Sequence, residues 1–230
     1  MRIRTGTSGW SYKEWKGHLY PEKLPAKDML RFYAARFSTV EVNNSFYRMP
    51  TRTTLESWSA DVPEDFSFVL KASQRITHIK RLKDVGESVQ YLIENSAALG
   101  AKLGPYLFQL PPNLRKDLPR LEEFLAQLHA GVRAAVEFRH ASWFEDDVYA
   151  ALASRNAALC LAEAGEEGDA PFVATADWGY LRLRKVEYAE GDLVTWKERV
   201  QAQSWNEAFV FFKHEDAGTG PKLAARFMEI

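Results

Sequence analysis

The chain switches about eight times between two kinds of segment, and that alternation limits its fold more than any other feature. "RIRTGTS", "STVEVN", "FSFVLK", "PYLFQL", "AAVEFR", "AALCLA", "GYLRLR" and "AFVFFK" are short apolar runs that read as strands. Between them stand segments with helical spacing, such as "PAKDMLRFYAARF", where Met29, Leu30, Tyr33 and Phe37 share a face and Pro25 lies near the start. "TRTTLESWSAD", "VGESVQYLIENSAALGAKLG", "LPRLEEFLAQLHAG", "EDDVYAALASRNA", "TWKERVQAQS" and "GPKLAARFMEI" continue the pattern. Strand and helix in turn predict an α/β protein with a parallel sheet. Eight units favour a TIM-barrel-like (β/α)8 barrel, slightly short or irregular at 230 residues. No repeat or flexible linker divides 1–230, so one domain is expected. The rival, a doubly wound open sheet, lacks its glycine fingerprint: the first turn reads "GTSGWSYKEW".

Charge narrows the partners. With 30 basic and 31 acidic side chains the formal charge is −1, unlike a strongly basic nucleic-acid protein, so a polyanion site has to be a local patch. The most basic stretch is "KASQRITHIKRLK", residues 71–83, which reads either as a phosphate track or as a solvated loop. No apolar signal region opens the chain and no 18 apolar residues run together, which predicts a cytoplasmic protein without a membrane partner. Cys160 is the one cysteine and reads as a small buried hydrophobe. No protein partner is predicted.

Strand side chains alternate between faces. In "AAVEFR", Val136 and Phe138 suit packing under helices, which turns Ala135, Glu137 and Arg139 inward. The same rule sends Glu41 and Asn43, Lys71, Gln109, and Tyr180, Arg182 and Arg184 inward, with Lys213 as a further candidate. Polar groups thus collect toward the C-terminal strand ends, where barrel enzymes hold their sites. Bases outnumber the two acids, which favours an anionic ligand over a self-neutralised ion network.

Within this set Glu41 and Glu137 are the expected acid/base pair, with His140 as proton shuttle. Arg139, Arg182 and Lys71 are expected to hold an anion. Trp10, Trp15, Phe46, Tyr47 and Trp143 follow strands and are expected to cover a ring. Lys71 beside other cations is also a candidate amine nucleophile. Five histidines occur without H-x-H or H-E-x-x-H spacing, so a divalent metal is not favoured and the cofactor is unknown.

Several long motifs carry a resemblance: "GTSGWSYKEWKGHLYP", "FSTVEVNNSFYRMP", "FSFVLKASQRITH", "LGPYLFQLPPNL", "AAVEFRHASWF", "TADWGYLRLR" and "FVFFKHEDAGTGPKLAARF". Together they resemble the domain-of-unknown-function 72, or YecE-like, family from about Gly6 to Phe227. That resemblance implies a TIM-barrel-like fold with its distinctive residues at one rim, and no established activity. The barrel is similar to that of the endonuclease IV and xylose isomerase group, whose histidine-rich metal pattern this chain lacks. By motif the resemblance marks Trp10, Tyr12, Trp15, Glu41, Asn43, Phe46, Tyr47, Lys71, His78, Gln109, Pro111, Glu137, Arg139, His140, Trp143 and Arg182. At Lys213 and His214 other members often carry asparagines.

The resulting expectation is a rim site for a phosphate-bearing or otherwise anionic ring compound, of sugar phosphate or nucleotide type, acted on by hydrolysis or isomerisation. The alternative is a non-catalytic nucleic-acid-binding module built on residues 71–83 and the rim aromatics.

Overall fold

The computed structural model describes residues 1–163, 170–214 and 216–230. Every expected strand forms: β1 (Arg2–Thr7), β2 (Thr39–Val42), β3 (Ser67–Lys71), β4 (Leu103–Gln109), β5 (Ala134–Glu137), β6 (Ala158–Ala162), β7 (Trp178–Leu183) and β8 (Glu207–Phe212). All seven ladders are parallel, in the order β1-β8-β7-β6-β5-β4-β3-β2. The helices are α1 (Met29–Ala34), α2 (Arg52–Asp61), α3 (Gly86–Ser96), α4 (Leu118–Ala126), α5 (Asp146–Ala153), α6 (Glu190–Gln201) and α7 (Thr219–Glu229). Their starts follow local chemistry. Thr51 Oγ1 accepts from the Thr54 amide at 3.2 Å ahead of α2, and Asp117 does the same for Arg120 ahead of α4.

Alternation sorts the apolar residues into two populations. Val40, Val42, Phe68, Leu70, Phe108, Val136, Leu181 and Leu183 face the helices. Val69, Leu107, Ala135, Cys160, Tyr180, Phe209 and Phe211 plug the interior. Cys160 is fully buried and its thiol pKa is pushed well up by that burial, the inert small hydrophobe its sequence context suggests. At the N-terminal end of the barrel Glu207 receives Arg133 Nη1 at 2.6 Å and Arg4 Nε on its other oxygen.

The irregularity has two places. Among the described residues no helix joins β6 to β7. Phe172 fills the helix layer there, edge-on to Trp205 at 5.6 Å and to Trp196 at 6.2 Å. Thr175 Oγ1 accepts from the Leu159 amide and donates to the Ala157 carbonyl, extending the edge of β6 with a side chain.

The second place is the seam. β1 and β2 end the ladder order, and among the described residues no backbone ladder joins them. The Tyr33 hydroxyl, carried in from α1, does so instead: it accepts from the Thr7 amide at 2.8 Å and donates to the Thr39 carbonyl at 3.0 Å. Gly6 permits the approach, because a Cβ there would sit 2.1 Å from the Thr39 oxygen. Tyr33→Phe leaves a buried amide without that acceptor, and we expect it to cost about 1–3 kcal/mol in urea unfolding. A loss near zero would show that the seam is held elsewhere.

Among the described residues no helix is long and apolar enough to cross a membrane.

Candidate active site at the barrel mouth

Strand register decides which side chains meet. Gln109 pairs with Glu137, Ala162 with Arg182 and Arg182 with Phe211, so the polar residues of neighbouring strands end at one level. At that level Arg182 bridges two carboxylates. Its Nη2 donates to Glu41 at 2.8 Å and its Nη1 to Glu137 at 2.6 Å, with Gln109 Oε1 at 3.4 Å. All three charges are sealed: Glu41 and Glu137 are 0% exposed and Arg182 is 1% exposed.

Each carboxylate collects further donors. Glu41 accepts from Tyr180 at 2.6 Å, Ser8 at 2.7 Å and Asn43 at 3.3 Å. Glu137 accepts from Arg139 Nε, and Arg184 Nη2 stands 4.0 Å away. Burial alone would raise both acids. For Glu41 the Arg182 charge and the Tyr180 and Ser8 hydrogen bonds overcome it, and the pKa falls below its usual value. For Glu137 the charges of Arg182, Arg139 and Arg184 do so, and it drops to about 2.

These facts correct three expectations. Glu41 and Glu137 are ionised, sealed counter-ions and not an acid/base pair, because neither has surface to offer a substrate. Arg182 likewise spends its charge on them and does not reach an incoming anion. Trp15 and Trp143 are core residues. Trp15 is turned inward by a tight turn over Lys13–Trp15, and Trp143 stacks on Phe138 at 4.6 Å while its Nε1 donates to the Leu114 carbonyl.

Above the sealed layer lies a partly exposed cationic one. Lys71 Nζ sits 4.4 Å over the Phe46 ring, and Phe46 packs edge-on against His78 at 4.9 Å. Burial, then the charges of Arg182 and Lys213, outweigh Glu41 and Glu137 and bring the Lys71 amine down to about 8. His78 is lowered by burial and then by Lys71, Arg139 and Arg81. Arg184 Nη2 is buried without a hydrogen-bond partner among the described residues. Arg184 and Ser8 were missing from the expected site. Alternation had already turned Arg184 inward, whereas nothing marked Ser8.

The remaining expected residues surround this layer. Trp10, Tyr12 and Asn43 line a pocket of about 140 Å³ with Gly9, Ser11 and Trp58. Tyr47 is 72% exposed at the rim, edge-on to Phe46. His140 caps the turn Ala141–Trp143, its Nδ1 accepting from the Ser142 amide at 3.1 Å, so that nitrogen is committed to the turn. His214 Nε2 is bonded to the Lys185 carbonyl. Within the basic stretch, Lys71 and His78 both pack on Phe46 while Lys80 bonds the Asp84 carbonyl. That segment contains a single π turn over Arg75–Ile79, followed by left-handed Arg81, Leu82 and Asp84. Such strain gathers where a loop is held for a purpose. A larger groove of about 570 Å³ runs against α7, and another of about 510 Å³ lies between the loops after β2 and β3 and the start of α3, lined by Ser45, Arg48, Ser73 and Arg75. No group of three or more His, Cys, Asp or Glu among the described residues is arranged to hold a metal ion.

A nearly closed eight-stranded parallel barrel with its charged residues gathered at the C-terminal mouth defines a TIM-barrel-like protein. The chain belongs to the family described as "Protein of unknown function DUF72", whose model matches residues 4–230. It is 25% identical over 271 aligned positions to the UPF0759 protein YunF of Bacillus subtilis, spanning 99% of this chain and 94% of that one. With the UPF0759 protein YecE of Escherichia coli K12 it shares 29% over 143 residues, 62% of this chain and 50% of that protein. A crystal structure of a DUF72 family protein from Thermotoga maritima is 25% identical with a TM-score of 0.81, covering 100% of this chain and 98% of that one. Another, from Enterococcus faecalis, has a TM-score of 0.83 at 19% identity over 99% and 94%, and speaks to the fold alone.

Proposed function

We propose that the barrel mouth is an enzyme-like site for a small anionic compound, of the sugar phosphate or nucleotide type. One observation carries the reading. Among the described residues, Lys71, Arg139 and Arg184 gather over two carboxylates whose charge Arg182 already engages. A surplus of partly dry cations favours an anion from outside. Arg139 and Arg184 supply the guanidinium fork suited to phosphate, and exposed Tyr47 is placed to cover a ring. Proton transfer, needed for hydrolysis or isomerisation, falls to Lys71 and His78, whose pKa values are brought toward neutrality or held low. Glu41 and Glu137 act as positioning residues for the arginines.

Thermal unfolding with ribose 5-phosphate against ribose tests this. The phosphorylated sugar is expected to raise Tm, by about 2.7 kcal/mol of stabilisation at a hundredfold excess over Kd, and ribose is not. Arg184→Gln and Arg139→Gln should each remove most of that shift. Equal shifts for both sugars, or none for inorganic phosphate, ribose 5-phosphate and mononucleotides alike, would sink the proposal.

A further inference from the structure

We propose that Lys71 is a carbonyl-capturing amine, and that the anionic ligand of the mouth is an aldehyde or ketone held as an imine on Lys71 Nζ. The inference rests on the anion-site reading and names the chemical class that the site takes.

Position comes first. Lys71 is the last residue of β3, partly exposed at the mouth, with its nitrogen over the face of Phe46. A lysine here would ordinarily be neutralised by a carboxylate, yet none among the described residues lies within ion-pair distance of it. The two acids that influence it, Glu41 and Glu137, are bound to Arg182, and Glu137 also to Arg139. The amine is therefore partly buried among cations, and the favourable contact of its charge with the Phe46 face does not offset that burial and repulsion. An amine in such surroundings keeps its lone pair near neutral pH, on the order of a tenth of molecules at pH 7.

Reach comes second. β3 and β5 are separated by one strand, about 10 Å at the backbone. Arg139 follows β5, and Arg184, from β7, reaches to 4.0 Å from the Glu137 oxygen that Arg139 engages, so both guanidiniums lie on the β5 side within reach of a short carbon chain from Lys71. A three-carbon phosphorylated aldehyde has that length. Its phosphate is taken by Arg139 and Arg184, which leaves Lys71 as the nucleophile and not as the counter-ion.

The step balances without a redox partner. The nitrogen lone pair forms the C–N bond and the carbonyl π pair moves to oxygen. The two N–H protons depart with that oxygen as water, leaving C=N. His78, beside the same Phe46 ring and lowered by burial and neighbouring cations, is suited to relay a proton.

The full chain is incubated with glyceraldehyde 3-phosphate or with glyceraldehyde, reduced with borohydride, and mapped by peptide mass. Reduction is expected to fix the phosphorylated aldehyde on Lys71 about tenfold faster than on exposed Lys13 and Lys27. The Lys71 rate should level off above pH 8, while the exposed lysines keep rising. The groups that set this difference are Arg182, Lys213, Glu41, Glu137 and His78. Lys71→Arg keeps the charge and cannot form the imine, so it should lose the label while its Tm stays near that of the parent. Labelling of Lys71 no faster than of Lys13 and Lys27 overturns the inference, and it does so even if ribose 5-phosphate still raises Tm and the anion site stands. Equal labelling of Lys71 by both aldehydes supports the imine and removes the anion site.

Discussion

Replacing Arg182 with methionine is expected to cost about 3–5 kcal/mol of folding stability, more than any other single change at the mouth. The side-chain volume is nearly kept, so the loss is electrostatic. Glu41 and Glu137 would stay buried, without the cation that joins them. Adding Glu41→Gln should recover part of it, because the amide needs no counter-charge. Urea unfolding measures both; a loss under about 1 kcal/mol for Arg182→Met would mean that water or another cation already serves the carboxylates. The same pairing fixes a pH response. Glu137 is depressed in the fold from 4.5 to about 2, so its contribution is complete above about 4.5 and drains away as pH falls toward 2. Acid unfolding of the parent chain should show this window, and Glu137→Gln should flatten it.

Gly6→Ala is the second large effect. A methyl group at Gly6 would stand 2.1 Å from the Thr39 carbonyl oxygen and 2.9 Å from the Tyr33 hydroxyl. The first contact is with backbone, which cannot swing aside, so β1 and β2 must part. We expect about 3 kcal/mol or more, at the upper end of overpacking costs. Because Tyr33→Phe acts on the same joint, the double variant should lose less than the sum. Strict additivity would place the two residues in separate structures.

The strands were legible because each is short, apolar and alternating, and a parallel barrel needs little else to announce itself. Alternation also gave the inward face correctly at Glu41, Lys71, Gln109, Glu137 and Arg182. Burial depth was not legible. Glu41 lies level with Tyr180 and Arg182, a height set by the successive strand registers around the barrel and invisible to alternation within one strand. Trp143 misled for a different reason. Three residues past the inward Arg139–His140 corner, a single tight turn carries it back over Phe138, and no periodicity reports such a turn. Ser8 contributes through one hydroxyl, with no pattern around it. Which of the inward cations is engaged by a carboxylate is a property of contacts across several strands, as Arg182 between Glu41 and Glu137 shows.

The seam gives the barrel a clasp. All seven ladders can form in an unclosed sheet, and shutting the ring then adds side-chain bonds: Tyr33 between Thr7 and Thr39, and Ser8 onto Glu41. The second of these reaches the carboxylate that anchors Arg182. Ring closure and the placement of Arg182 are thus joined through one carboxylate, and a barrel that has sprung its clasp leaves Glu41 short of a donor.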